Sequence, residues 1–266
     1  MNCNISRGYV IILGSSGTSS QLVRKEYMMR VVPWAESVRA VKLSAEFTDF
    51  GQFRKELERS LHYNSSYVRI RNSHAIIRWF FPSHSLDNLL TKVWTFYKND
   101  TILKEMMRYE YLSREPAMAE FVVRYLLPLD PGTPIEVDYL RDFLLKKYSV
   151  VKRHPLDSLR GACKHLGFIY SEKKKMTISQ IPTPKTSLLI LTHYLLAPTP
   201  RTVTIKDVLS NPFWQHLGVR EQETVRKVFR EADANGAITK YIMADQLEQV
   251  TTRYSFDEFI QRKVQL

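Results

Sequence analysis

The sequence predicts a mainly α-helical fold: a helical N-terminal domain followed by two winged-helix-like units with small β-hairpins. Three observations carry this expectation. Apolar residues recur at three- and four-residue steps through most of the chain, the signature of helices with one buried stripe. Only 9 glycines and 12 prolines occur in 266 residues, too few for a loop-rich all-β protein. Two late helices stop at a glycine, Gly167 and Gly236, and each runs into a pair of strand-like segments. At 266 residues the chain is long enough for two or three small domains or one large one, and 44% hydrophobic residues exclude wholesale disorder.

Taken in order, residues 1–27 read as a flexible leader. Val10-Ile11-Ile12-Leu13 followed by Gly14-Ser15-Ser16-Gly17-Thr18-Ser19 imitates a strand running into a phosphate loop. The lysine that must follow the second glycine of such a loop does not come until Lys25, so a nucleotide site there is not expected. Residues 28–130 form the helical domain. Phe50, Phe53, Leu57 and Leu61 make one apolar stripe, and His62-Tyr63-Asn64-Ser65-Ser66 breaks it with turn formers. Asn72 or Ser73 then caps a helix over 74–81, closed by Pro82, giving a helix-turn-helix-like pair decorated by Arg69, Arg71 and Arg78. Three scaffold helices follow over 85–127, with Ser85, Thr101 and Pro116 at their starts. The proline- and glycine-bearing stretch 128–134 marks the clearest boundary.

Residues 131–182 form the first winged-helix-like unit. Val137, Leu140, Phe143, Leu144 and Tyr148 define one helix, and Pro155 opens a second that buries Leu156, Leu159, Cys163 and Leu166. Ser158, Arg160, Gly161 and Lys164 are expected on its opposite face. Phe168-Ile169-Tyr170 and Met176-Thr177-Ile178 flank a lysine-rich tip as a hairpin, while Tyr148 and Tyr170 are assigned to packing. Residues 183–266 repeat the order: an apolar helix to Leu196, a bent helical segment over 204–217, a helix over 221–234 and a hairpin over 238–251.

The charge is where function becomes legible. Lys and Arg number 39 against 27 Asp and Glu, for a net +12. Residues 141–175 alone hold 10 basic and 3 acidic side chains, whereas residues 220–266 hold 8 of each. A clustered positive patch is the footprint of a polyanion binder. In this reading Arg160 and Lys164 point from a recognition helix toward a major groove, with Ser158 beside them. Lys173, Lys174 and Lys175 on the wing grip phosphates, and Lys152 and Arg153 approach the DNA backbone at the start of the helix. The charge-balanced C-terminal unit suits protein docking or homodimer formation. The rival is a structural adaptor that assembles a complex. A third reading, RNA binding, needs exposed aromatics beside the basic patch.

Catalytic chemistry finds no foothold. Seven histidines include no metal-binding HxxxH or HExxH pair, and no GxSxG elbow is present. Cys163 falls on a buried stripe as a small hydrophobe. Glu136 and Asp138 diverge from a helix start and are better placed as dipole partners. The sequence therefore predicts a non-enzyme without cofactor or metal. No apolar run approaches the roughly 18 residues of a membrane span, and the two cysteines build no disulfide framework, so a cytoplasmic location is expected.

The order Phe53–Leu61, Asn64, Arg69-x-Arg71-Asn72-Ser73 and helix 74–81 resembles the N-terminal portion of BrxA-type proteins of bacterial BREX phage-defence systems. The passage Leu166-Gly167-Phe168-Ile169 is similar to the same family's winged-helix-like part, so the likeness spans roughly residues 45–180. It implies a small double-stranded DNA-binding accessory component, without an enzymatic site, working beside other proteins of a defence complex. Residue by residue, Arg69, Arg71, Ser73 and Arg78 match that family's basic helix start.

Overall fold

A computed structural model describes residues 33–149, 153–172, 175–244 and 247–266, the side chain of Arg153 apart. The expected leader 1–27 lies outside the described residues. Helices take 60% of those residues and strands 10%, so the mainly α expectation holds.

The N-terminal part builds a bundle from helices whose caps are written in the sequence. Helix α1 (Trp34–Ser44) leads to α2 (Phe50–Ser60), where the Asp49 carboxylate accepts from Gln52 N–H at 2.8 Å. Helix α3 spans Ser66–Phe80 and starts about two turns before the expected 74–81. Asn72 and Ser73 therefore lie inside it and cap nothing. The Ser73 hydroxyl is satisfied within the helix by donating to Ile70 O at 2.9 Å, which explains how a residue expected at a cap is accommodated mid-helix. Asn88 caps α4 (Leu89–Tyr97), and Asn99 caps α5 (Asp100–Arg114). Pro116 opens α6 (Pro116–Phe121), which continues through a π-turn at Val122–Leu126.

Helix α5 is the central post. It packs against α3, α4 and α6 on one side of the chain's order and against the later helices α9 (Lys185–Leu195) and α11 (Phe213–His216) on the other. Met106, Met107 and Tyr111 are buried along it, and one hydrophobic core runs through all three segments of the chain.

After the bundle, a short strand, a run of helices and a hairpin occur twice in that order, with two helices in the first unit and three in the second. A short strand β1 (Pro134–Ile135) leads to α7 (Val137–Tyr148), α8 (Arg153–His165) and the hairpin β2 (Ile169–Glu172)–β3 (Lys175–Ile178). The strand returns to the hairpin, so the antiparallel order is β1-β3-β2, with Ile135 opposite Met176. In the second unit α9 precedes β4 (Thr202–Thr204), α10 (Ile205–Ser210), α11, α12 (Gln222–Ala234) and the hairpin β5 (Lys240–Ala244)–β6 (Leu247–Thr251), in the order β4-β6-β5. The sequence analysis placed strand only in the two hairpins. β1 and β4 are two and three residues long, and cross-strand pairing rather than local pattern makes them strands. A last helix, α13 (Phe256–Gln261), carries a capping box between Ser255 and Glu258 and packs on α9 and α4. It ties the end of the chain to the N-terminal bundle through Lys92–Asp257 at 2.9 Å and Tyr97 Oη donating to Val264 O at 3.0 Å.

Two arginines join the segments. Arg108 of α5 is half-buried with its guanidinium turned into the interior; its Nε donates to Leu166 O and its Nη1 to Leu217 O, both at 2.7 Å. Those carbonyls close α8 and α11, and each is followed by a glycine in the left-handed region, Gly167 at φ +80° and Gly218 at φ +92°. A Cβ on Gly218 would lie 2.8 Å from the Ile181 side chain, so this corner requires glycine. Arg220 donates to Leu127 O at 2.6 Å and also to Leu129 O, locking the start of the second unit to the boundary segment.

Candidate nucleic-acid interface

Helix α8 and the β2–β3 hairpin carry the basic block. The helix forms because Leu159, Cys163 and Leu166 give it a buried stripe, and Gly167 stops it. The stripe is wider than the sequence pattern suggested. Ser158 is 1% exposed, and its Oγ donates to His154 O at 2.9 Å. The expectation of a solvent-facing Ser158 is corrected: at 100° per residue it falls beside Leu159 on the core side. The outward face is formed by His154, Asp157, Lys164 and His165, with Arg160 and Gly161 half-buried at its edge.

The remaining charges of the block sort themselves by partner. Arg141 pairs with Asp138, and Lys147 reaches Glu120 at 2.8 Å, so both are neutralised locally. Lys146, Arg160, Lys164 and Lys175 have no acidic partner within ion-pair distance among the described residues. Lys175 opens β3 and is exposed opposite Glu172 in the strand register. Arg153 is the first residue of α8, while Lys152, Lys173 and Lys174 lie outside the described residues. The structure thus brings Arg160, Lys164 and Lys175 into one unit with the backbone of Arg153.

Tyr170 also departs from expectation. It is 48% exposed on β2 and is not a packing residue, whereas Tyr148 packs against the core as expected. The alternation of β2, with Ile169 in and Tyr170 out, could have revealed this.

The N-terminal basic residues do not act as a set. Arg69 Nη1 donates to Tyr63 O at 2.6 Å and to Asn64 O at 3.3 Å, pinning the turn before α3. Ser73 is fully buried and also approaches Glu58 at 3.5 Å, so neither it nor Arg69 is presented as the sequence analysis expected. Arg71 is exposed. Arg78 is exposed with its guanidinium 5.1 Å from the centre of the Trp79 ring.

The second unit disposes of its charges differently. Arg226 of α12 donates through Nε to both Glu248 oxygens, at 3.0 and 2.9 Å, so the hairpin strand β6 neutralises the helix it packs beside. Tyr241 Oη also donates to Glu248, Arg230 pairs with Glu223, and Lys185 pairs with Glu231. In the equivalent helix of the first unit, no ion pair joins Arg160 or Lys164 to a carboxylate among the described residues.

Titratable groups in the interior are held neutral or tightly bound. Burial pulls the Arg108 guanidinium down to about 10, with Glu105 opposing the shift, so it stays charged at neutral pH. Burial raises Glu105 and drives the Cys163 thiol far up, which removes it as a nucleophile. Among the described residues no group of three His, Cys, Asp or Glu side chains could hold a metal, and no helix is long and apolar enough to cross a membrane.

The chain matches no protein-family model, no curated protein and no solved structure.

Proposed function

We propose that the protein binds double-stranded DNA without catalysing a reaction, using the first strand–helix–helix–hairpin unit as a winged helix. The observation that carries this is the contrast between the two units. Among the described residues Arg160, Lys164 and Lys175 have no acidic partner within ion-pair distance, whereas Arg226 and Arg230 are neutralised by Glu248 and Glu223. In the proposed docking, α8 enters the major groove and Lys173–Lys175 follow the phosphates, with Lys152 and Arg153 on the backbone at the start of the helix. The resemblance to BrxA-type proteins supports a place as an accessory component of a bacterial defence complex in the cytoplasm.

A second reading, a protein-docking adaptor, is favoured by one observation. Met243 and Leu247 are 66% and 50% exposed on either side of the second hairpin's tip, where apolar side chains have no core to join. The two roles are compatible if the first unit reads DNA and the second meets a protein or another copy of the chain.

The test is a titration of fluorescent duplex and single-stranded DNA of equal length at low salt. Duplex binding, weakened by Arg160→Ala with Lys164→Ala, supports the proposal. Binding of the single strand alone would transfer the role to the exposed Tyr170 and its neighbours, and no binding to either would leave the adaptor.

A further inference from the structure

Six glycines fall within the described residues, and five of them have a local reason to be glycine. Gly132, Gly167, Gly218 and Gly236 hold φ angles between +67° and +92°, which residues with side chains rarely adopt. A Cβ on Gly51 would crowd the Asp49 carboxylate that caps α2, at 3.2 Å. Gly161 has neither reason. It sits inside α8, which continues past it to His165, and its φ is not in the left-handed region. Beyond its own stretch of helix, a Cβ built on it meets nothing within 4 Å among the described residues. Glycine inside a helix is nevertheless less favourable than alanine, because it gives up more backbone freedom. Packing within the chain does not account for the missing side chain. A surface from outside lying close against α8 would.

The neighbours of Gly161 indicate what that surface is. Asp157, Lys164 and His165 stand at i−4, i+3 and i+4, one turn away, and all three are exposed. Arg160 precedes it, and no ion pair joins Arg160 or Lys164 to a carboxylate among the described residues. Arginine and lysine reach guanine edges and phosphates in a major groove, and a carboxylate there accepts from the cytosine amino group. An apolar partner would strip water from the same side chains without pairing them. Without a Cβ at Gly161 the helix backbone can lie nearer the groove, which brings the flanking side chains within reach of the bases.

We propose that Gly161 is the point of closest approach between α8 and duplex DNA, and that it sets how deeply the helix enters the major groove. This rests on the reading of the first unit as a DNA-binding winged helix. Gly161 is a positioning residue: it makes no polar contact itself and acts through Arg160 and Lys164.

Gly161→Ala and Gly161→Leu are compared with wild type by thermal unfolding and by titration of a fluorescent mixed-sequence duplex at one low salt concentration. Neither substitution changes the charge, so weaker binding reports shape. Gly161→Ala should raise the melting temperature by about 1–3 °C, since alanine is the better helix former, and yet weaken duplex binding about three- to tenfold. Gly161→Leu should melt no lower than wild type and weaken binding at least about thirtyfold. A glycine that served only the fold would give the reverse, lower stability with unchanged affinity. Wild-type affinity in both variants, or a lower melting temperature for Gly161→Ala, overturns the inference. Arg160→Ala with Lys164→Ala, titrated alongside, separates the two failures. If that double variant loses affinity while the Gly161 variants bind as wild type, the inference falls and duplex binding through α8 stands. If wild type binds no duplex, both fall.

Discussion

Replacing Arg108 by Met tests whether one buried guanidinium holds the three segments together. The side chain satisfies the carbonyls of Leu166 and Leu217, and its guanidinium carbon lies 5.4 Å from the Phe168 ring centre. A hydrogen bond from a charged donor contributes about 1.5–3 kcal/mol, so the two bonds represent about 3–6 kcal/mol. Against this, methionine relieves the burial of a charge, the same desolvation that lowers the arginine's pKa. The two helix-terminal carbonyls would nevertheless lose their buried donor. The expected net loss is about 3 kcal/mol, a large part of the stability of an ordinary domain. Arg108→Lys, with one ammonium for two separated acceptors, should fall between wild type and Arg108→Met. Equilibrium urea unfolding followed by circular dichroism and by tryptophan fluorescence measures both variants. Wild type should unfold in one transition by both probes, since Arg108 touches both units from the central helix. A loss under about 0.5 kcal/mol for Arg108→Met would show that these bonds contribute little, and the reasoning would be wrong.

Three further outcomes follow from the same contacts. Arg226→Gln should leave duplex affinity within about twofold of wild type while destabilising the fold, because it strips Glu248 of its cationic partner and leaves Tyr241 Oη as its donor; a large loss of affinity would place the DNA face on the second unit. Arg160→Ala should cost about 1–3 kcal/mol on a preferred DNA site and less elsewhere if it makes a bidentate guanine contact, and equal losses on every duplex would reassign it to phosphate. Acid should destabilise the protein: burial holds His193 and His216 down to about 4 against 6.5 unfolded, so the unfolded chain binds protons first and stability falls as the pH drops from about 6.5 toward 4. Burial moves the Glu115 carboxyl the other way, to about 7, so the folded form takes up that proton first and acidification through 7 to 4.5 favours the fold. Glu115→Gln should therefore steepen the acid loss measured as urea midpoints at pH 5, 6 and 7, and an unchanged profile would contradict the assignment.

Periodicity made the helices readable, because each buries one stripe against a common core. Boundaries failed where a polar residue had two uses. Asn72-Ser73 reads as a cap, yet the Ser73 hydroxyl returns to Ile70 O and α3 begins at Ser66. On α8 the alternation of apolar residues hid Ser158, a small polar group that a packed helix face accepts once its hydroxyl bonds to the turn before it. The strands β1 and β4 carry no local signal, since their pairing comes from hairpins more than 40 residues away. Helix α13 is legible in its capping box, where Ser255 is followed three residues later by Glu258. Arg108 and Arg220 could not be singled out, because an arginine in a charge-balanced helix, or in the short link before α12, looks like any surface arginine until its carbonyl partners fold around it. Of the expected DNA face, Arg160, Lys164 and Lys175 kept their exposure or partial exposure, whereas Ser158, Ser73 and Arg69 turned inward to backbone or core.

The most direct measurement is the salt dependence of duplex affinity for wild type and for Lys173→Ala/Lys174→Ala/Lys175→Ala. Each phosphate neutralised contributes about 0.9 to the log–log slope, so the seven basic residues assigned to the interface limit it to about −6. The account predicts a wild-type slope between about −3 and −6 and a triple variant flatter by about 2–3, weakened alike on all duplexes. A flat wild-type slope, or a triple variant with the wild-type slope, would contradict DNA binding through the first unit.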